Sequence, residues 1–215
     1  SSLDSIPYLK GNSLFILGNI VHKVLYRFHS DNLAKFNDLI DLLDRYWDEN
    51  IYSYKCESKQ YYKDAKQMLK NYFEYIKKSS PSPILFEQFF TIQMKEFILS
   101  GVIDRVDVNS LGEIVVYDYK TSKTQKSQAK IKSSFQLPIY ALALYLSGNQ
   151  IHPKIADKIN AISITELSLR FVDMEVCMDM NEKSLIDLET VLNDIAKDIS
   201  AGIFVANPNM MNCRY

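Results

Sequence analysis

Asp104, Asp118 and Lys120 are the residues from which chemistry most readily builds in this sequence. Segments 97–108 and 113–120 are short and rich in β-branched and aromatic side chains, and the turn-like Asn109-Ser110-Leu111-Gly112 separates them, so they read as a hairpin. A turn centred near Leu111 makes facing positions sum to about 222, which sets Asp104 opposite Asp118 with their Cβ atoms roughly 4.5–5.5 Å apart. The two-residue period of a strand adds Lys120 to the Asp118 face. Two carboxylates held that close repel each other unless a positive charge lies between them, and a hard divalent cation with oxygen ligands meets that need. Lys120 would then orient a nucleophile or stabilise negative charge developing at phosphorus. The competing reading is a surface hairpin whose charges keep an edge soluble, and the triplet Asp-x-Lys by itself does not separate the two.

The elements that must position this hairpin follow from periodicity. Apolar residues from Leu14 to Phe28 recur at three- and four-residue spacing, which predicts a helix over 12–29. Leu33, Phe36, Ile40, Leu43 and Trp47 predict a second helix over 31–47, capped by Ser30 or Asp31, and Tyr62 to Ile76 a third over 59–77. Ser79-Ser80-Pro81-Ser82-Pro83 stops helical structure. Three strands are expected at 84–91, 97–108 and 113–120, and an apolar helix over 135–146 tolerates Pro138 in its first turn. Strands at 159–165 and 169–178 precede a helix over 182–199 that ends at Gly202. With no internal repeat or linker, residues 1–215 read as one α/β domain: a helical part over 12–79, a sheet-and-helix core over 84–178 and a C-terminal helix over 182–200.

Composition limits what such a domain does. Of 215 residues 47% are hydrophobic, and the 6 Gly and 6 Pro exclude a collagen-like or low-complexity chain. No apolar run reaches the roughly 18 residues of a membrane span, and no secretory signal is evident. Cys56, Cys177 and Cys213 make no disulfide framework, so the expected setting is reducing and cytoplasmic. A net charge of −1 excludes a uniformly basic coat for nucleic acid. The charge is unevenly spread, however: Lys120, Lys123, Lys126, Lys130, Lys132 and Lys154 fall between Tyr119 and Ala156 without an Asp or Glu. A solvated loop is the ordinary meaning of such a run, but beside the carboxylate hairpin a track for phosphates is the better one.

Five segments taken in order, Gly18-Asn19-Ile20-Val21-His22, Phe86-Glu87-Gln88-Phe89, Gly101 to Asp107, Val116-Tyr117-Asp118-Tyr119-Lys120-Thr121 and Gln136-Leu137-Pro138-Ile139-Tyr140-Ala141, are similar to motifs of a known family. The sequence resembles the PD-(D/E)XK nuclease superfamily, and within it the RecB-like branch of AddAB-type helicase-nucleases and CRISPR-associated adaptation nucleases. The resemblance covers about Leu14 to Leu146 and implies a restriction-endonuclease-like α/β fold with a central mixed sheet flanked by helices.

It also implies roles. His22, Asp104, Asp118 and the backbone carbonyl of Tyr119 become metal ligands for Mg²⁺ or Mn²⁺, with Lys120 positioning the nucleophile. Gly18, one turn before His22, would let the first helix approach the sheet. Glu87 either supports the site through a ligand or water at the metal, or is a solvated strand acid. Gln136 and Tyr140 share a helix face, where they contact the substrate backbone or orient the catalytic strand.

The implied activity is hydrolysis of DNA phosphodiesters, leaving 5′-phosphates, in repair, recombination or defence. An inactive DNA-binding or scaffolding module is the alternative. The implied partners are DNA, single-stranded or duplex ends, and a helicase as partner or fused domain, since no Gly-Lys-Ser/Thr phosphate loop is present. Pro208 to Tyr215 resembles the start of a cysteine cluster, but Cys213 is the one ligand available there. Either the chain is truncated or its branch lacks the cluster, and no iron-sulfur cluster is assigned.

Overall fold

A computed structural model of the chain describes residues 13–52, 54–79, 81–109, 113–124, 134–156, 161–171 and 175–203. Three helices come first, α1 (Ser13–Ser30), α2 (Phe36–Tyr46) and α3 (Lys55–Ser79), with a single 3₁₀ turn at Glu49–Ile51 between the last two. The meander β1 (Pro83–Gln93), β2 (Ile98–Val108) and β3 (Ile114–Lys120) follows. Helix α4 (Gln136–Ile151) and the short α5 (Pro153–Ala156) lead to β4 (Ala161–Ser168), β5 (Glu175–Asn181) and α6 (Glu182–Ser200).

The strands form one sheet in the order β1-β2-β3-β4-β5. All neighbours are antiparallel except β3 and β4, whose parallel pairing requires a crossover, and α4 supplies it. The architecture is the expected α/β one, a mixed sheet flanked by helices. Among the described residues no helix is long and apolar enough to cross a membrane.

Alternation along the strands builds two cores. Val116 and Ile114 of β3 join Ile162 and Ile164 of β4 in packing beneath α4, whose Leu137, Ala141, Leu142, Ala143 and Leu144 are buried almost completely. That helix is apolar nearly all round because it lies between the sheet and α6. Tyr117 and Tyr119 instead enter the cluster made by α1, α2 and α3. Within that second cluster Arg105 is fully buried. It donates from Nε and Nη2 to both carboxylate oxygens of Asp107 at 2.6 and 3.0 Å, and its guanidinium lies 4.0 Å from the Tyr117 ring centre.

Two expected elements are displaced. The second helix starts at Phe36 rather than Asp31, because residues 31–33 close α1. Asn32 takes φ 52°, and the amides of Asn32 and Leu33 reach back to the carbonyls of His29 and Phe28, a left-handed helix cap. Asp38 then begins α2 by accepting from the Lys35 amide at 2.9 Å. The last strand is Glu175–Asn181 rather than 169–178. Leu169 still donates to the Lys120 carbonyl, and Arg170 turns away to bond Thr121 O at 2.8 Å and Asp64 Oδ2 at 2.9 Å, so this segment ties the sheet to α3.

Candidate metal centre and catalytic hairpin

The β2–β3 hairpin has the register expected from its turn. Asn109 and Glu113 close it with reciprocal backbone and side-chain hydrogen bonds, and the pairs run from Val108 with Ile114 to Arg105 with Tyr117. Beyond that last pair the backbone ladder gives way to side chains. The Tyr119 amide donates to Asp104 Oδ2 at 2.6 Å, and the Tyr119 carbonyl is 3.1 Å from His22 Nε2. The site lies in this split between β2 and β3.

His22 arrives from α1, which can lie close to the end of β3 because residue 18 is glycine: a Cβ there would sit 3.2 Å from Thr121 Oγ1. Glu87 arrives from β1, where the β1–β2 register runs on unchanged and sets it opposite Asp104, although these two do not pair. Phe86 pairs with Arg105 and Gln88 with Ile103, while Glu87 between them adopts φ 44°, a left-handed conformation that costs a side-chain-bearing residue on the order of 1 kcal/mol or more. The Glu87 carboxylate comes within 3.8 Å of His22 Nδ1, and Asp104 Oδ1 is 3.3 Å from the same nitrogen. One donor atom from each of His22, Glu87 and Asp104 lies within 4.8 Å of the others.

Asp118 is buried beside this group and is joined to it through Tyr119 rather than being one of the three. Its Oδ2 lies 2.6 Å from Lys120 Nζ. Burial raises the Asp118 carboxyl to about 6 against the pull of Lys120, with Asp104 adding to the rise. Lys120 Nζ also donates to Gln136 Oε1 at 3.0 Å, and Gln136 Nε2 donates to the Tyr140 hydroxyl at 2.9 Å. Burial and the nearby Asp118 keep that hydroxyl protonated. Gln136 and Tyr140, four residues apart on α4, thus hold Lys120 from one side and Asp118 holds it from the other.

The donor set suits a divalent cation: an imidazole nitrogen, carboxylate oxygens and a main-chain carbonyl. The electrostatics agree. Burial opposes a charge on His22, yet Asp104 and Glu87 outweigh it and raise the imidazole to about 10, so this small space favours positive charge. Both ring nitrogens then donate, and Nδ1 must give up its proton before it can act as a ligand.

His22, Asp104, Asp118, the Tyr119 carbonyl, Glu87, Lys120, Gln136 and Tyr140 therefore gather in one place, and Glu87 offers a donor atom in the same group as His22 and Asp104. Lys123 stands apart, its Nζ 5.1 Å from the Tyr61 ring centre. Lys126, Lys130, Lys132 and Cys213 lie outside the described residues, as does the Lys154 side chain. Two neighbours of the site were not singled out in the sequence. Thr121 lines the same recess as Gly18, His22 and Glu87. Glu166 of β4 is the register partner of Asp118 and is buried; its signal was an acid continuing the apolar positions Ile162 and Ile164.

No similarity to a curated protein was detected. The sequence matches the family model described as the PD-(D/E)XK nuclease superfamily over residues 9–215, which takes in every element of the sheet and both faces of the site. Proteins of that superfamily are generally nucleases, phosphodiester hydrolases that use divalent metal ions. A mixed sheet with helices on both faces, a strand-borne Asp-Tyr-Lys opposite a second aspartate and a family match across nearly the whole chain lead to one conclusion: the protein belongs to the PD-(D/E)XK nuclease superfamily.

Proposed function

We propose that this protein is a Mg²⁺- or Mn²⁺-dependent deoxyribonuclease of the RecB-like branch. The observation that carries the reading is Lys120, held between Asp118 and Gln136 next to the His22, Glu87 and Asp104 cluster. When bound, the divalent cation supplies Lewis-acid stabilisation of the phosphate and lowers the pKa of water. His22, Asp104, Asp118, Glu87 and the Tyr119 carbonyl are the groups that would hold it.

The residues around the cation divide the remaining tasks. Lys120 places a fixed ammonium where negative charge grows at phosphorus and orients the attacking oxygen. Asp118 aims Lys120, Gln136 fixes the far side of the ammonium, and Tyr140 fixes Gln136. Lys123 together with Lys126, Lys130 and Lys132 supplies sequence-independent phosphate contacts. The substrate is DNA as single strands or duplex ends, cut to leave 5′-phosphates. The setting is cytoplasmic repair, recombination or defence, with unwinding supplied by a helicase partner or fused domain.

The test is incubation of labelled single- and double-stranded DNA with the protein and Mg²⁺ or Mn²⁺, beside Asp118→Ala, Lys120→Ala and a chelator control. Cleavage should require metal and disappear in both variants. Cleavage that survives both substitutions would overturn the mechanism. Retained DNA binding with no cleavage under either metal would make the protein a scaffolding module instead.

A further inference from the structure

Arg105 is next to Asp104 in sequence but lies on the opposite side of the sheet, among the helices. Burying a guanidinium is costly, and apolar packing of similar volume generally stabilises as well or better, so stability alone does not account for it. What an arginine adds is direction. Besides the paired carboxylate of Asp107, Nη1 donates to the Tyr72 hydroxyl of α3 at 2.7 Å and to the Tyr119 hydroxyl of β3 at 3.2 Å. Those two hydroxyls are themselves 3.0 Å apart, so β2, β3 and α3 are joined at one point.

The position of that point matters. Arg105 pairs across the ladder with Tyr117, so its bond to the Tyr119 hydroxyl reaches one pair further, across the place where the β2–β3 ladder gives way. The backbone of the same Tyr119 takes both Asp104 and His22, through its amide and carbonyl. Side chain and backbone of one residue thus connect the buried cation to the acidic cluster.

We infer that Arg105, Tyr72 and Tyr119 form a clamp behind the sheet that sets the width of the β2–β3 split and so positions Asp104 and His22 for the cation. The inference rests on the metal-dependent reading of the site. All three side chains are positioning groups that stay clear of the reacting atoms; Tyr119 meets the site through its backbone alone.

Two variants that keep the aromatic packing, Tyr119→Phe and Tyr72→Phe, test it together with Arg105→Lys, which keeps the charge but loses the fork. Two measurements are made on the folded proteins: Mn²⁺ affinity by calorimetry, and hydrogen exchange of the residue-119 amide relative to the Val115 and Tyr117 amides of the same strand. The clamp requires the Mn²⁺ dissociation constant to rise roughly 10-fold or more, and residue 119 to lose protection when its neighbours do not. A loss of protection shared equally along β3, or a wild-type Mn²⁺ affinity, reduces the network to a structural one and overturns the inference. Should Arg105→Lys fail to fold, the two phenylalanine variants decide. Cleavage read on the same samples separates the two ideas: wild-type protein that binds Mn²⁺ but cuts no DNA removes the proposed function and leaves the clamp standing.

Discussion

Lys120 is held by a carboxylate at 2.6 Å and an amide oxygen at 3.0 Å, a geometry that suits a compact ammonium and not a planar fork. Lys120→Arg should therefore keep DNA binding, read by fluorescence anisotropy, and lose cleavage by about 100-fold, the scale of a displaced electrostatic donor. Equal loss of binding and cleavage would assign Lys120 to phosphate binding alone. The β2–β3 register was legible because turn position and strand period are local properties, although the ladder stops at Arg105 and Tyr117, one position short of Asp104 and Asp118. The role of Glu87 was not, because it depends on one residue taking φ 44°, which no alternation of side chains announces.

Elements were legible where one face is apolar and obscure where helix ends meet. Asp31 and Asn32 are residues that both begin and end helices, and here a left-handed Asn32 ends α1, so α2 starts later. Segment 169–171 has strand-like composition but leaves the sheet after Leu169 because Arg170 finds partners in Asp64 and Thr121. The packing of α4 on α5 was invisible in sequence for a related reason. Gly148 is a helix-interior glycine, and replacing such a residue with alanine ordinarily gains up to about 1 kcal/mol. A Cβ there would instead run into Ile155 Cγ2, which is fully buried and has no room to give way. Gly148→Ala should destabilise by roughly 1–3 kcal/mol and lower the melting temperature by several degrees. An unchanged or raised value would mean that α4 and α5 do not meet this closely.

The two cores on the sheet's faces give the whole molecule a pH dependence that its near-zero net charge conceals. His29 lies in the helical core, bonded to the Tyr72 hydroxyl and stacked on Phe86 at 5.1 Å. Burial and the nearby Arg105 lower it from 6.5 to about 3. Below 6.5 the unfolded chain takes up a proton that the folded protein refuses, so stability from this group is complete above 6.5 and is lost as pH falls toward 3. His22 has the opposite sign: raised to about 10, it contributes fully below 6.5 in metal-free protein and loses that contribution as pH climbs through 10. Asp118, raised to about 6, partly offsets His29 in acid because the folded form binds its proton more readily. Comparing wild type with His29→Gln in urea at several pH values isolates the first effect. Their difference in unfolding free energy should shrink by up to about 1.4 kcal/mol per pH unit below 6.5, and a constant difference would refute the buried neutral histidine.

The bond between His22 and the Tyr119 carbonyl joins residues 97 positions apart. A contact of that span forms after local helices and hairpins, because the chain entropy of closing so large a loop must first be met by other contacts. A nascent or partly unfolded chain can therefore hold α1 and the β2–β3 hairpin intact and still lack the cluster that α1 and the sheet create together. Competence for chemistry thus marks completed folding, and any condition that lifts α1 from the sheet silences the site before the hairpin itself unravels.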